Sequence, residues 1–235
     1  MDKSPKKVYI RRMFDDISGQ YDLLNRIISF GLDGVCRKRA VTPHRGDKLV
    51  LDICSGTGDM SVELLRMHGF RGVIVMADFS TGMHKLARRK IDQSKNADIS
   101  ERVLQVYCDA DNMPFRSGSF EGVINGYSLR NLGNLHDFGR EIGRVLKAGG
   151  RASLVDVSHP PNRVFAALFH FYFYQLIPLI ARFFTRKKYA YRYLPVSLRT
   201  FYKQDDALEK LRADGLRGRY KDLLFGAVAV YDLEK

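Results

Sequence analysis

The chain begins with a helical pattern of apolar positions and then changes to short strands that alternate with helices. In residues 1–45 the apolar side chains recur every three to four positions, as at Ile17, Tyr21, Leu24, Ile27 and Ile28. This spacing predicts helices. From residue 48 onwards, short apolar runs alternate with helical stretches, which is typical of parallel β-α-β units. The pattern therefore predicts an α/β fold with a doubly wound sheet behind an N-terminal helical cap.

The predicted strands are short apolar runs that end at polar or glycine-rich turns. They cover residues 48–53, 73–77, 103–108, 122–125 and 151–157, with a last apolar run at 223–231. Predicted helices cover residues 60–68, 80–95, 135–146 and 204–214. Ser80 or Thr81 is the expected N-cap of the second of these helices. The glycines of Ala148-Gly149-Gly150 are expected to end the third in a left-handed conformation.

Residues 164–184 form an unusually apolar segment late in the chain. The segment is nearly as long as the roughly 20 residues that span a bilayer. It is interrupted by His170, Gln175, Pro178 and Arg182, and an arginine at the bilayer centre costs about 2.5–3.5 kcal/mol. We therefore expect an amphipathic helix pair that covers the sheet as a lid, buried or at an interface, rather than a transmembrane helix.

The composition indicates one globular domain. The chain has 235 residues, of which 45% are hydrophobic and 28% charged, and neither a repeat nor a low-complexity linker divides it. We expect a helical cap in residues 1–45, a cofactor-binding core in 46–160, a helical lid in 161–203, and a C-terminal helix and strands in 204–235. Three widely spaced cysteines without a Cys/His ligand cluster predict a reducing compartment and no metal site.

The charge favours a polyanionic partner. Lys and Arg number 39 against 26 Asp and Glu, which gives a formal charge of +13. The first 16 residues are charged and lack the apolar stretch of a secretory signal, so a cytoplasmic location is expected. Arg186-Lys187-Lys188 directly follow the apolar segment and are placed to meet lipid headgroups at the inner face of the membrane. Reversing these three charges is expected to weaken liposome binding.

Polar residues close four successive predicted strands. Asp52, Asp78, Asp109 and Asn125 stand at these ends, and open α/β sheets bind their ligands at the carboxyl ends of the strands. The loop after the first strand carries two glycines that allow a ligand to approach the backbone closely. The sequence therefore predicts a ligand site at this edge of the sheet.

The turn after the first strand favours S-adenosylmethionine over a dinucleotide. Asp78 suits the ribose of either ligand, but the third glycine of a dinucleotide site is replaced by Ser61. Asp52 and Asp59 flank the turn and would repel a pyrophosphate, whereas they suit an ammonium and a sulfonium. We expect Asp78 to bind the ribose hydroxyls, and Asp109 to bracket the adenine with its neighbour Ala110. The glycine turn is expected to run along the methionine part.

Several segments together closely resemble the ubiquinone and menaquinone biosynthesis C-methyltransferase family over nearly the whole chain. They read MFDDISGQYDLLNRIISFGLD (13–33), LDICSGTGDMS (51–61), MADFSTGMHKLARRK (76–90), CDADNMPF (108–115), LRNL (129–132), RVLKAGGR (144–151) and YAYRYLPVSLRTF (189–201). The resemblance implies a mostly parallel, seven-stranded Rossmann-like sheet and methyl transfer to a ring carbon of a polyprenyl quinol. With the strand ends, the expected cofactor-binding residues are Asp52, Gly56, Thr57, Gly58, Asp78, Phe79, Asp109, Ala110, Asn125 and Gly126.

Carbon methylation of a hydroquinone requires a ring hydroxyl to lose its proton, so a base or a base-bound water is needed. Arg130 and Asn131, just beyond the fourth strand, are the candidates to orient that water and to stabilise the phenolate. Arg130 would act chiefly as a charge because its pKa is too high for a base. Tyr21 is expected to line the same pocket. Aromatic residues at 165–174 are expected to form lid core or a groove for the prenyl tail.

Other functions remain open at this stage. Cys36 and Gly126 replace the family's usual Trp and Ser, which leaves room for another phenolic or lipid-like acceptor. A cofactor-binding protein without catalysis would require Arg130 and Asn131 to be dispensable. No nucleic-acid partner is expected, because Asn125-Gly126-Tyr127-Ser128 lacks the prolines of an Asn-Pro-Pro-aromatic tetrad. The sequence does not decide the ring type, the prenyl length, or whether the chain forms a homodimer.

Overall fold

The computed structural model describes residues 5–93, 97–184, 188–212 and 215–235. The helices are α1 (Pro5–Ile28), α2 (Leu32–Val41), α3 (Asp59–Leu65), α4 (Thr81–Asp92), α5 (Ala97–Glu101), α6 (Leu135–Val145), α7 (Arg163–Phe171), α8 (Ile177–Phe184), α9 (Lys188–Arg199) and α10 (Gln204–Leu211). The strands are β1 (Leu49–Ile53), β2 (Val73–Asp78), β3 (Val103–Tyr107), β4 (Phe120–Gly126), β5 (Leu146–Val157), β6 (Arg217–Leu223) and β7 (Val228–Glu234). Residues 97–98, 183–184 and 188–192 are described by their backbone only.

The seven strands form one mostly parallel sheet in the order β3-β2-β1-β4-β5-β7-β6. Strands β1 to β5 are parallel, and β7 runs antiparallel between β5 and β6. The order reverses direction at β1 and β4, so the carboxyl ends of these two strands flank a crevice. The predicted fold class is confirmed.

Both faces of the sheet are buried under helices, which explains why the central strands are continuous apolar runs rather than alternating ones. On one face, Phe138 and Ile142 of α6 and Leu208 of α10 pack against the strands. On the other face, Leu64 of α3 and Ala87 of α4 do the same, together with α2. The central strands therefore hold their carboxyl ends in fixed register.

The connection after α6 differs from the prediction. The helix ends at Val145, and β5 begins at the next residue, so the Ala148-Gly149-Gly150 segment is not a helix cap. Gly149 does take a left-handed conformation, with φ of 72°. The residue lies where the β4–β5 register shifts between the pairs Phe120–Leu146 and Gly122–Arg151. Gly149 therefore allows extra residues to be inserted into β5 at this point, because the backbone there adopts a positive φ that glycine tolerates.

The C-terminal apolar run at 223–231 is not one strand. It joins the end of β6, a tight turn at Leu224–Gly226 and most of β7. Sequence reasoning missed most of β6, since its residues RGRYKDL lack apolar alternation and form an edge of the sheet. The preceding helix ends at Leu211, and Asp214, its predicted end, lies outside the described residues.

The late apolar segment forms one side of the cover over the sheet. Helices α7 and α8 are joined by a π-helical turn at Tyr172–Leu176, so the predicted helix pair is one continuous helix with an internal irregularity. Ala181 of α8 packs with Met13, Ile17 and Leu24 of α1. The Arg186-Lys187-Lys188 cluster lies outside the residues whose side chains are described.

Length and composition would allow the helix at Arg163–Arg182 to cross a membrane. An 18-residue window of these 20 residues has a mean hydropathy of 1.7, and 17% of that window is buried inside the protein. One such helix is weak evidence for a span, and this one also packs one face against the lid core around Phe173 and Ile177.

Candidate active site

A cavity lies at the carboxyl ends of β1, β2, β3 and β4 and is covered by α1. The volume between its walls, including the mouth, is about 1000 Å³. The lining residues on the strand ends and loops include Cys54, Gly56, Thr57, Asp59, Asp78, Phe79, Cys108, Asp109, Ala110, Asp111, Gly126, Tyr127 and Asn131. The covering residues include Lys7, Ile10, Phe14 and Tyr21 of α1.

The glycine loop after β1 is held against the end of β2 by Asp78. Gly56 donates its backbone N–H to Asp78 Oδ2 at 2.9 Å, and Ser80 donates its own to Oδ1 at 2.8 Å. Ser80 is the N-cap of α4, as predicted, and accepts from the backbone of Met83. Burial raises the pKa of Asp78, and these backbone hydrogen bonds oppose that rise. A carboxylate has about four acceptor positions, so acceptor capacity remains for a ligand in the cavity.

The loop after β3 carries two carboxylates that share one lysine of α1. Lys7 Nζ lies 2.7 Å from Asp109 Oδ2 and 2.7 Å from Asp111 Oδ2. All three side chains are partly buried and line the cavity. The first turns of α1 therefore close one end of the cavity through an ion pair that bridges about a hundred residues of sequence.

Replacing Lys7 by alanine is expected to weaken cofactor binding about fivefold, because a partly exposed pair contributes up to about 1 kcal/mol. Isothermal titration with S-adenosylmethionine would measure the change. Lys6→Ala is the matched control, since Lys6 bonds only the backbone carbonyl of Leu132 among the contacts described for it. Equal affinities for the two variants would show that the Lys7 ion pairs do not hold the cavity closed.

A second set of ion pairs ties α1 and α2 to the glycine loop. Thr57 donates its hydroxyl to Asp22 Oδ1 at 2.6 Å, and Lys90 of α4 lies 2.7 Å from Asp22 Oδ2. Lys90 also pairs with Asp59, whose other oxygen lies 3.0 Å from Arg37 of α2. Thr57 is thus already hydrogen-bonded to the covering helix, so its position at the cavity depends on α1 being docked.

Asp52 lies behind the cavity wall rather than in it. Its Oδ2 accepts from the backbone and the hydroxyl of Ser61, at 3.2 and 2.6 Å. The residue is fully buried and is absent from the described cavity lining. Burial raises the pKa of Asp52 to about 7, against the opposing hydrogen bonds from Ser61. The predicted cofactor residue therefore anchors the first turn of α3 instead.

This burial predicts a pH-dependent stability. The pKa of Asp52 is raised in the folded chain, so the protonated form is the stable one. Its contribution is complete below about pH 4 and is lost as the pH rises to about 7. Between pH 6 and pH 7 the free energy of unfolding should fall by about 1 kcal/mol relative to Asp52→Asn. Urea unfolding of both proteins across this range measures the difference. Parallel pH profiles would contradict the assignment.

Gly58 and Asn125 also lie outside the described cavity lining. Gly58 caps α3 with φ of 80°, and a Cβ there would come 2.7 Å from Met76 Cε, so the position needs glycine for packing. Asn125 is buried and donates to the carbonyl of Ile53 at 2.5 Å and to Ser128 Oγ at 2.7 Å. These bonds fasten the carboxyl end of β4 to that of β1. Both residues shape the site without facing it.

Of the three predicted catalytic residues, two line the cavity and one lies behind its wall. Tyr21 and Asn131 line the cavity, and Asn131 Oδ1 is buried without a hydrogen-bond partner among the described residues. Arg130 instead pairs with the fully buried Asp156 and donates to the carbonyl of Tyr127 at 3.0 Å. Burial alone would lower the pKa of Arg130, but the nearby Asp156 outweighs it and raises the pKa. The guanidinium is therefore a permanent charge beneath the site.

Backbone strain marks both sides of the crevice. Cys54 and Tyr127 directly follow β1 and β4 and have φ of 55° and 60°, values that non-glycine residues seldom adopt. Cys54 and Cys108 both line the cavity, and burial raises the pKa of each thiol, to about 12 for Cys108. Both thiols are neutral near pH 7, which makes them poor nucleophiles.

Sequence reasoning did not find several lining residues. Lys7 and Phe14 belong to a helix whose docking has no local signal. Asp111 follows the predicted Asp109 by two residues, and its place in the loop was a usable signal. Tyr127 directly follows Gly126 at the end of β4 and was readable in the same way.

The cavity chemistry fits a positively charged ligand without phosphate. Its described lining has four carboxylates, those of Asp59, Asp78, Asp109 and Asp111. The basic side chains described there, Lys7 and Arg37, are each paired with two aspartates. Gly56 has φ of 53°, and a Cβ there would meet nothing within 4 Å, so the loop leaves open space beside it. A sulfonium and an ammonium satisfy this surface, whereas a pyrophosphate does not.

Comparisons with known proteins agree with this chemistry. The ubiE/COQ5 methyltransferase family model matches residues 2–235. The ubiquinone/menaquinone biosynthesis C-methyltransferase UbiE of Geobacter sulfurreducens is 36% identical over 229 residues, which cover 96% of this chain and 88% of that protein. The demethylmenaquinone methyltransferase of Thermus thermophilus is 34% identical over 221 residues, which cover 93% and 98%.

Among solved structures, a SAM-dependent methyltransferase from Aquifex aeolicus matches with a TM-score of 0.57 at 17% identity, covering 83% of this chain and 88% of that one. A likeness at this identity shows the fold. The family match shows more, since it spans nearly every residue. This chain therefore belongs to the ubiE/COQ5 methyltransferase family and is an S-adenosylmethionine-dependent methyltransferase, which confirms the cofactor expected from the carboxylates at the strand ends.

Proposed function

We propose that this methyltransferase acts on a ring carbon of a polyprenyl quinol, either a demethylmenaquinol or a polyprenyl-methoxybenzoquinol. The observation that carries the proposal is the extent of the family match, which includes the covering helices as well as the sheet. Acceptor selection in a doubly wound fold depends on such covering segments rather than on the shared core. Relatives that align over these segments are named for quinone biosynthesis.

The carboxylates of the cavity are assigned to the cofactor. Asp78 would bind the ribose hydroxyls with its remaining acceptor capacity, and Asp109 with Ala110 would bracket the adenine. The backbone of Gly56 and Thr57 would follow the methionine part. When it is bound, S-adenosylmethionine supplies an electrophilic methyl group. The chain must then hold the acceptor carbon in line and exclude water.

Tyr21 and Asn131 are assigned to the acceptor. Burial raises the pKa of Tyr21, so its hydroxyl stays protonated at neutral pH and can donate a hydrogen bond to a developing phenolate. Asn131 Oδ1 lacks a partner and can accept a hydrogen bond from a ring hydroxyl or from a water that removes its proton. The ring carbon would gain the methyl group as the bond from that group to the sulfonium sulfur breaks, with S-adenosylhomocysteine as the leaving group, and the proton on the ring carbon would leave to solvent.

Arg130 is assigned a positioning role. Its backbone N–H donates to Asp156 Oδ2 at 3.1 Å, while its side chain pairs with the other carboxylate oxygen. These contacts fix the short helical turn at Leu129–Asn131 against β5. Arg130 thereby orients Asn131, and its charge opposes the burial-raised pKa of Tyr21.

The deciding experiment is methyl transfer from labelled S-adenosylmethionine to reduced short-chain demethylmenaquinol and to the corresponding benzoquinol. Label in ring carbon of either quinol supports the proposal and ranks the two rings. Asn131→Ala should lower kcat about tenfold, the worth of one hydrogen bond, with the cofactor Kd unchanged. Cofactor binding without transfer to either quinol would overturn the proposed acceptor.

One observation, the glycine at position 126, supports a second class of acceptor. Gly126 lines the cavity where the family usually has Ser, and a Cβ there would come 2.8 Å from Met60 Cγ. The space at this position is therefore set by this chain's own packing. A soluble phenolic or other lipid-like acceptor is the alternative, and a panel of such acceptors in the same labelled assay distinguishes it.

We further propose that the chain works as one domain on the cytoplasmic side of the membrane and contacts anionic lipid peripherally. The formal charge of +13 and the prenylated acceptor support this location. A homodimer remains a prediction that sedimentation measurements can test.

A further inference from the structure

An exposed apolar surface lies on the covering helices and turns. We define this apolar face by six residues with strongly exposed side chains: Phe30, Val35, Val164, Leu168, Phe171 and Phe225. The three members on α7 are spaced four and three residues apart, which puts them on one stripe of the helix. Phe30 and Phe225 are 75% and 82% exposed. An apolar patch of this kind on a soluble chain marks an interaction site.

Ring contacts join the parts of the apolar face. Phe225, in the β6–β7 turn, contacts Phe165 of α7 in a tilted arrangement, with ring centroids 5.4 Å apart. Phe30, in the α1–α2 turn, lies 5.7 Å from the ring of Tyr172, whose hydroxyl donates to the carbonyl of Ile28 at 2.7 Å. Three segments distant in sequence thus present their apolar side chains together.

The backbone is strained where these side chains are presented. Phe30, Leu224 and Phe225 have φ of 53°, 49° and 58°. A left-handed conformation costs a non-glycine residue about 1–2 kcal/mol. Two of these three residues carry large aromatic side chains that stay mostly exposed despite their ring contacts. Strain that the folded chain does not recover points to a function outside it.

Basic residues accompany the apolar face on the helices that carry or flank it. Exposed examples are Arg26 at the end of α1, Lys38 and Arg39 of α2, and Arg163 and Arg182 towards the two ends of the continuous α7–α8 helix. Residues 157–204 contain eight Lys and Arg and no Asp or Glu. Asp33, the acidic residue of α2, is paired with Arg37. Apolar side chains within a cationic border match the two layers of an anionic membrane surface, the acyl chains and the headgroups.

We propose that the apolar face rests on an anionic lipid bilayer, with its aromatic and aliphatic side chains in the acyl boundary. A second copy of the chain fits less well, because a symmetric contact would set two cationic borders against each other. A spanning helix fits less well too, since Phe173, Ile177 and Ala181 already pack inside the protein.

Membrane contact would serve the proposed function because a prenylated quinol resides in the bilayer, and to that extent the inference rests on the proposed acceptor. The aromatic residues at 165–174 fall into a buried group and an exposed group. Phe173 lies in the lid core with Phe169 and Tyr174 against it, while Phe171 belongs to the apolar face. Helix α2 borders the cavity through Arg37 and carries Val35 of the apolar face, so a prenylated acceptor would cross little water between the membrane and the cavity.

The test is binding of the whole chain to vesicles of phosphatidylglycerol with phosphatidylcholine, compared with phosphatidylcholine alone. Leu168→Gln/Phe225→Asn keeps the net charge and suits a helix and a left-handed turn. We expect the double variant to bind the anionic vesicles about tenfold or more weakly. Leu104→Gln, an equally neutral change of an exposed leucine on β3 at the far edge of the sheet, should bind like the unmodified chain.

Vesicle binding that is unchanged in the double variant would overturn the inference. So would a dimer that the variant converts to a monomer without a loss of vesicle binding, or protein that stays with the vesicles after alkaline carbonate extraction. Transfer to a water-soluble short-chain quinol should be normal in the double variant. Loss of vesicle binding with no transfer to any quinol would reject the proposed acceptor and keep the surface.

Discussion

Replacing Arg130 by alanine is expected to lower the free energy of unfolding by about 3–5 kcal/mol. The substitution leaves the carboxylate of Asp156 fully buried with no cation beside it. Removing one partner of a buried pair costs more than the pair contributes, because the remaining charge cannot return to water. Urea unfolding with two independent probes would measure the loss.

A double variant distinguishes the cost of leaving one buried charge unpaired from the contribution of the ion pair itself. Arg130→Met/Asp156→Leu removes both charges and should recover most of the stability that Arg130→Ala loses. Arg140→Ala is the matched control, since Arg140 pairs with Asp137 on the exposed side of α6 and should change stability by less than about 1 kcal/mol. Equal losses for Arg130→Ala and Arg140→Ala would mean that Asp156 finds another partner. Asn131, rather than Arg130, is therefore the informative residue for catalysis.

Replacing Asp78 by alanine is expected to raise the Kd for S-adenosylmethionine about 100-fold or more. Hydrogen bonds to a charged group contribute about 1.5–3 kcal/mol each, and two such bonds to the ribose are assigned here. The substitution also frees the Gly56 N–H from the carboxylate that holds the glycine loop. Isothermal titration with S-adenosylmethionine and S-adenosylhomocysteine measures the change.

Two variants refine this prediction. Asp78→Asn keeps the shape and one acceptor oxygen, so its Kd should lie between those of the unmodified chain and Asp78→Ala. Asp92→Ala, at the exposed end of α4, should leave the Kd unchanged because its side chain pairs only with Arg88 among the described residues. A Kd for Asp78→Ala within threefold of the Asp92→Ala value would place the ribose elsewhere in the cavity.

The sequence predicted the fold and the edge of the sheet at which the cavity lies, because both follow from local patterns. Aspartates at strand ends and a glycine turn can be recognised from the local sequence, without knowledge of tertiary contacts. The direction in which each side chain points cannot be recognised in this way. Asp52 and Ile53 are neighbours on one strand and point to opposite faces, and only Ile53 reaches the cavity. Asn131 and Arg130 are neighbours in a short turn and diverge in the same way.

The missed features depend on contacts between distant segments. Strand β6 carries polar residues because it is an edge strand, so its pairing with β7 is what defines it. Lys7 reaches Asp109 across a separation of 102 residues, and Ser80 reaches Asp15 across 65. No window of sequence contains both partners of such a contact.

These long-range contacts make helix α1 and the ligand thermodynamically linked. Lys7, Asp15 and Asp22 bind three separate loops of the sheet, and all three loops contribute residues to the cavity. A ligand that binds only when the helix is docked must stabilise docking by the same free energy, about 2.7 kcal/mol at a concentration of 100 Kd. Hydrogen exchange in α1 should therefore report cofactor occupancy more strongly than exchange in the central strands.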